Sequence, residues 1–362
     1  LAPTLREVAD AAGVSIGTTS MALSGNRLVA AGTRERIGRL ARQMGYEPNH
    51  VARSLRARRL NALGIVIPHS SAHVFSHPYF MEVLRGVSEV ASERGFTVTL
   101  SVSNAEDSTA EAYRKILESR RVDGVIIASA SLHDPNLASL ARSGYHAVLI
   151  GRYPLDPTLD AIGVDDRRGG WAATDHLLGH GHKLVGHVSG PAGHLSAIDR
   201  LEGYRDALGD HEVAYHSGLV VEGDYSIASG YAAGLQLLRA KERPTAVFAA
   251  NDEMAFGVAQ AARELGVDVP GDLALVGFDD LQLASVIRPA LTTVRQPIAQ
   301  LGAEAASRLI DLVLGTSTDR QQILRATELV VRESCGCSVP PAAGVASADD
   351  HAAGDKAGRR RT

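Results

Sequence analysis

Cysteine is nearly missing from this chain: Cys335 and Cys337, separated by a single residue, are the only two in 362 positions. That excludes a disulfide framework. Long apolar runs are missing too, since no stretch approaches the roughly 18 residues of a membrane span. The opening "LAPTLREV" has no basic segment leading into an apolar one, so no secretory signal is read and a cytoplasmic location is expected. Lysine is absent from the first 60 residues, where ten arginines stand against four acids, Glu7, Asp10, Glu35 and Glu47. The head therefore carries +6 and the remainder −10, within a net charge of −4. Charge divided in this way suits only the head to a polyanion. The rest of the composition is ordinary, 45% hydrophobic and 22% charged, as in soluble globular proteins. Its length calls for more than one core.

Three short helices are legible in the head. Thr4 with Glu7 is a capping-box pair, starting a helix over about Leu5 to Ala12. Gly13 permits a turn at positive φ, and Ser15 is a good N-cap for a second helix through about Ser24. Val8, Ala12, Val14, Thr19, Ala22 and Leu23 supply a small shared core, and Ala9 leaves room for close approach. Thr33 is placed to cap a third helix, whose Ile37, Leu40, Ala41 and Met44 form an apolar stripe. Gly45 and Pro48 end it. Two helices joined by a short glycine-containing turn have helix-turn-helix spacing, a plain helical hairpin being the alternative. Then comes "NHVARSLRARR", with Asn49 as a cap, Leu55 among small residues, and Arg53, Arg56, Arg58 and Arg59. About eight residues cannot hold a helix alone in water. The segment is either a conditional helix or a basic linker.

Beyond Asn61 the texture changes. Short apolar β-rich runs fall at 63–68, 97–102, 122–128, 147–151, 183–190, 245–251 and 273–280. Helical patterns separate them, near 79–94, 109–120, 168–180, 197–208, 227–240 and 252–265. Such alternation implies parallel sheets covered on both faces. The body exceeds one comfortable core, so two lobes are expected. In open sheets of this kind a ligand sits at the carboxyl ends of the strands, here between the lobes.

Specific stretches go further. "GVSIGTTSMALSG" at 13–25 resembles the DNA-binding head of the LacI/GalR family, in which "GVSxxTVSxxLxG" is typical. "NHVARSLR" matches the family's hinge. "HPYF" (77–80), "AANDEMAFG" (249–257), "VGFDD" (276–280), "RPALTTVRQP" (288–297) and "LVVRES" (329–334) follow in order. The resemblance implies an α/β protein with an all-α helix-turn-helix head and hinge helix, then a two-lobed periplasmic-binding-protein-like core of parallel sheets flanked by helices. The implied boundaries are head 1–47, hinge 48–60, core 61–334 and a disordered tail 335–362. Within the core, the N-lobe takes about 61–161 and 292–322, and the C-lobe about 162–291 and 323–333, with crossings near 161, 291 and 322.

The implied function is a dimeric regulator, more often a repressor, reading a pseudo-palindromic operator under control of a small effector, most readily a sugar. No cofactor, metal, membrane or catalytic role is implied. In the head, Ser15, Thr18 and Ser20 donate to phosphates, Ile16, Gly17 and Met21 face base edges, and Thr4 and Asn26 complete the contact set. The family often has Arg where Met21 stands, and Gly17 has no side chain. Paired reading of guanine from those positions is therefore excluded, and contact with thymine methyls is left. In the hinge, Asn49, Ala52, Arg53 and Arg56 contact DNA, while Leu55 wedges into the minor groove at a central step. Around the effector, Arg200 reaches the ligand from the start of a helix, Asp279 accepts from ligand hydroxyls or ring nitrogens, Tyr225 is a stacking platform and Asn251 a cleft residue. His194 and Ser196 lie on a selectivity loop, and His77, Tyr79 and Gln296 line the opposite lobe. Charged planar groups take vicinal hydroxyls in pairs, and rings meet sugar C–H faces.

Other signals are set aside. His176, His180, His182 and His187 cross from a helix into a strand, so their rings are expected to diverge rather than hold a metal. "CGC" at 335–337 offers too few cysteines for a closed site. "SGPAG" (189–193) lacks the Lys-Ser/Thr of a phosphate loop and reads as a cleft loop. Asp279 and Asp280, adjacent at a strand end, point to opposite sides and make a poor acid–base pair. The tail has no leucine heptads, which argues against tetramers through a coiled coil. Two rivals stay open: a sugar-binding receptor without DNA function, and an enzyme using the cleft.

Overall fold

The computed structural model describes residues 3–23, 26, 28–46, 59–103, 109–119, 121–152 and 159–337. The hinge contacts expected at Asn49, Ala52, Arg53, Leu55 and Arg56 lie outside them, as does the tail from 338.

The head is three helices, α1 (Leu5–Ala12), α2 (Ile16–Leu23) and α3 (Ala31–Gln43). Thr4 and Glu7 form the complete capping box, and Gly13 takes φ 62° in the turn after α1. Ser15 Oγ accepts from Thr18 N at 3.0 Å, capping α2. α3 begins two residues earlier than its expected cap Thr33, with Ala30 before it and no side-chain cap. Val8, Ala12, Ala22, Val29, Ile37 and Ala41 bury one small core between the helices.

The body contains two six-stranded sheets. The first uses β1 (Ala62–Ser70), β2 (Thr97–Ser103), β3 (Gly124–Ala128), β4 (His146–Ile150), β5 (Asp160–Val164) and β11 (Gln322–Arg325), in the order 11-5-4-3-1-2. The second uses β6 (Val185–Ser189), β7 (Val220–Glu222), β8 (Ala246–Ala249), β9 (Ala274–Asp279), β10 (Thr292–Arg295) and β12 (Glu328–Val330), in the order 12-10-9-8-6-7. All pairings are parallel except β10 with β12. Helices cover both faces: α4 (Ser71–Ser76), α5 (Pro78–Glu93), α6 (Thr109–Ser119), α7 (Pro135–Arg142) and α12 (Ile298–Leu314) on the first sheet, and α8 (Asp166–Gly179), α9 (Leu195–Asp210), α10 (Ile227–Leu238) and α11 (Asp252–Glu264) on the second. Each sheet accordingly has an apolar cluster on either face. This double coverage is why its strands read as continuous rather than alternating apolar runs.

The crossings come later than expected. β5 still pairs with β4, so the first passage lies at 165 rather than 161. β10 pairs with β9, which moves the second from 291 to 296. β11 pairs with β5, which moves the third from 322 to 326. In each case the chain crosses only after the strand has closed its hydrogen-bond ladder. The expected tail also starts too early, because Cys335 is buried in the second lobe's core. The 17-residue α12, unforeseen, packs on α5 and completes the first lobe after the chain has crossed back.

Candidate functional site

In each lobe the strand order reverses beside the first strand, β1 between β3 and β2, and β6 between β8 and β7. The carboxyl ends at such a reversal leave a crevice that nothing else fills. Here the two crevices face each other. His69, Ser129 and Gly151 end first-lobe strands, and Gly190, Asn251 and Asp279 end second-lobe strands; all but Gly190 line one cleft of about 1090 Å³, counting its open mouth.

All nine residues expected around an effector line this cleft: His77, Tyr79, His194, Ser196, Arg200, Tyr225, Asn251, Asp279 and Gln296. Their roles divide differently from expectation. Arg200, on α9, is buried and already committed: Nε donates to Asp166 Oδ1 at 2.8 Å and Nη1 to the Ala250 carbonyl at 2.5 Å. Its guanidinium lies 3.6 Å above the Phe278 ring. The expected two-pronged grip on vicinal hydroxyls is thus taken up by Asp166. What is left is a gap: Nη1 faces Asp279 Oδ1 at 4.0 Å, too far for a direct hydrogen bond. A hydroxyl placed there can accept from one and donate to the other.

Asp279 is buried, accepts from Gln296 Nε2 at 2.5 Å, and has φ 114°. Burial pushes its pKa up to about 7 against the pull of Arg200 and Gln296, with Glu253 and Asp166 adding to the rise. Beneath it, Asp252 accepts from Leu281 N at 2.7 Å and Thr293 Oγ1 at 2.5 Å. Of six non-glycine residues at positive φ among those described, Ser129, Tyr225 and Asp279 line the cleft and Asp280 adjoins it. Strain of this kind persists only where the surroundings enforce it, and it gathers at ligand sites. Gln296, expected on the opposite lobe, is instead at the end of β10 in the crossing segment. Asn251 caps α11 through Met254 N and donates to the Tyr225 carbonyl at 2.9 Å, a positioning role. Tyr225 OH pairs with Ser196 Oγ at 3.1 Å, and a Cβ on Gly190 would stand 2.2 Å from the Tyr225 ring. "SGPAG" is thus part of the cleft, with Pro191 in its lining.

The first lobe contributes rings. His69 stacks on His73 at 4.6 Å, His73 meets His77 at 4.1 Å, and His194 approaches His69 from the other lobe at 5.8 Å. Burial, with mutual repulsion, lowers His69 to about 3 and His73 to about 4, so both are neutral at pH 7. Burial also lowers His194. Polar contacts across the lobes include His77 Nδ1 with Glu253 Oε2, the two-pronged Arg152–Asp199 pair at 2.9 and 2.6 Å, and Leu132 N to the Gly193 carbonyl at 2.8 Å. Sequence reasoning missed His69, His73, Asp166, Glu253 and Arg152. The spacing of His69, His73 and His77 in "HSSAHVFSH" was the available signal. Asp280, turned away, pairs with Arg295 and Arg332, so the two aspartates do not act together.

In the head, Ser15, Gly17, Met21 and Asn26 are exposed, and Ile16, Thr18 and Ser20 half-buried. Ser15 and Thr18 hydroxyls sit 2.9 Å apart on this face. Thr4 lies beside them in sequence space only as an exposed helix cap, its hydroxyl engaged by Glu7. Asn26 Oδ1 accepts from Leu28 N at 2.9 Å.

A helix-turn-helix head with an uncovered α2 face, joined to a two-lobed core with a polar cleft, defines a ligand-responsive DNA-binding regulator. Comparison with known proteins agrees. Residues 4–49 match bacterial regulatory proteins of the lacI family, and 174–335 match a periplasmic binding protein-like domain. The HTH-type transcriptional regulator CelR of Thermobifida fusca is 35% identical over 337 residues, 92% of this chain and 98% of the relative. The HTH-type transcriptional repressor PurR of Proteus mirabilis is 35% identical over 336 residues, 91% and 96% of the two chains. Among solved structures, a lac repressor bound to ONPG in the repressed state superposes with TM-score 0.80 at 29% identity, covering 92% of this chain and 100% of that one. A CelR–cellobiose complex gives 0.72 at 34% identity, covering 92% and 99%. The chain belongs to the LacI family. It is a transcriptional regulator and not an enzyme, and no helix among the described residues is long and apolar enough to cross a membrane.

Proposed function

We propose that this chain is a homodimeric cytoplasmic repressor whose hold on a pseudo-palindromic operator is set by a sugar bound between its lobes. One observation carries the effector class: the 4.0 Å gap between the Arg200 guanidinium and the Asp279 carboxylate, in a cleft also lined by the Tyr225 and histidine rings. Alternating hydroxyls and C–H faces fit that combination, and the CelR–cellobiose complex is a relative with a sugar in its name. Exposed Phe75, Leu283 and Val286 offer apolar surface to a second copy.

The route from cleft to DNA starts at the hinge root. Leu60 N and Ala62 N donate to the two carboxylate oxygens of Asp123 at 2.8 and 3.0 Å, tying the hinge to the first lobe. A ligand that changes the angle between lobes changes the spacing of the two roots in a dimer. The 49–56 segment then coils against the minor groove, with Leu55 as wedge, or uncoils. Coupling of about 1–3 kcal/mol is enough for a several-fold to hundredfold change in occupancy.

The test is a thermal-shift screen of sugars against nucleobases, followed by operator binding with and without the hit. A ligand at about 100 times its Kd adds roughly 2.7 kcal/mol. Asp279→Asn is expected to erase the shift while leaving operator binding intact. A hit among nucleobases alone would overturn the sugar class, and a normal response in Asp279→Asn would move the site.

A further inference from the structure

Two sequence features that the effector site leaves unused meet at one place in the second lobe. His176 and His180 are one helical turn apart at the end of α8, so they share a face instead of diverging. Their rings meet edge to face at 4.7 Å. Cys335 buries its side chain in the same core as Leu177 and Leu178, which fixes the segment after β12 against α8 and brings Cys337 onto that histidine face. His182 and His187 do diverge: His182 bonds Thr245 Oγ1 at 2.9 Å, and His187 is enclosed between Tyr204 and Phe248.

We propose that His176, His180 and Cys337 form a binding site for a thiophilic divalent metal of the zinc class. The geometry already approximates a coordination shell. One donor atom from each of His176, His180 and Cys337 lies within 4.8 Å of the others, and His176 Nε2 is 3.4 Å from Cys337 Sγ. Metal–nitrogen bonds of about 2.0–2.1 Å and a metal–sulfur bond of about 2.3 Å, set tetrahedrally, give an N···S edge of about 3.5 Å. The measured separation therefore needs almost no change. The Cys335 thiol donates instead to the Arg332 carbonyl at 3.5 Å, so a water is left to complete four ligands. Imidazole and thiolate donors, with no carboxylate among them, select zinc over magnesium or calcium. His180 is exposed while His176 and Cys337 are half-buried, which leaves an entry path from solvent. Bound metal would staple the end of the core to α8, the helix whose first residue, Asp166, holds Arg200 in the cleft. The proposal is independent of the effector reading.

The test uses the full chain, reduced and stripped with a chelator, then titrated with Zn(II) against a chromogenic competitor and with Co(II) by absorption. One metal per chain and a thiolate-to-cobalt charge-transfer band are expected. Cys337→Ser should remove the band. His180→Gln, at an exposed position, should weaken Zn(II) binding at least about tenfold, the scale already seen for losing outer-shell partners. Far-UV dichroism reports whether either variant is folded. No uptake by the reduced wild-type chain overturns the site. So does uptake unchanged in both variants, or a Cys335–Cys337 disulfide in a chain that takes up no metal when reduced.

Discussion

The two walls of the cleft are built on sheets of the same strand order, yet their chemistry is opposite. The second lobe supplies ions: Arg200 with Asp166, then Asp279 over Asp252, each held by at least one further bond. The first lobe supplies mostly neutral rings, His69, His73 and Tyr79, with His77 reaching Glu253 and Arg152 reaching Asp199 across the cleft. A buried ion network is costly to rearrange, because any partner that moves leaves a charge unpaired in low dielectric. Stacked neutral rings slide at little cost. The comparison shows a division of labour in which one lobe fixes its polar groups in buried ion pairs and the other lines the cleft with neutral rings.

The harshest way to break this contrast is Asp166→Ala. It strands the Arg200 guanidinium, of which about 6% is exposed, and should cost about 3–5 kcal/mol in chemical denaturation. A loss under about 1 kcal/mol would mean that Arg200 swings onto Asp279 and that the wall is adaptable after all. Glu253→Gln is milder: it keeps the shape but makes the bridge to His77 a neutral hydrogen bond. A penalty of roughly 1 kcal/mol in effector binding is expected by calorimetry, with a more open molecule by X-ray scattering. Unchanged binding would show that the bridge does not report closure. Acid acts on the rings instead. His69 and His73 have pKa values lowered to about 3 and about 4 from 6.5, so the unfolded chain takes up protons first. Their contribution is complete above pH 6.5 and lost as pH falls toward 4. Melting temperature should drift down between pH 7 and 5, and less so in His69→Gln/His73→Gln; an identical drift would place the acid sensitivity elsewhere, with His187 next in line.

Much of this was legible beforehand because short-range rules govern it. The Thr4–Glu7 box, the Gly13 turn and the Ser15 cap were each readable within four residues and are all present. Seven of the strands announced themselves by apolar runs. Short edge strands such as β7 and β12 did not, since three residues with partial burial leave little pattern. The nine cleft residues came from resemblance, and their bonding did not. Nothing at Arg200 indicates that Asp166, 34 positions earlier, takes its fork. Nor does "CGC" indicate His176, 161 positions before Cys337.

Composition, caps and apolar periodicity by themselves decided that a basic helical head precedes an α/β body, because those signals act within a few residues of chain. Which carboxylate neutralises which guanidinium, where each crossing falls, and which histidines share a face with a cysteine were decided only when the two sheets closed. Those outcomes depend on distances between residues far apart in sequence, and only burial makes them energetically binding.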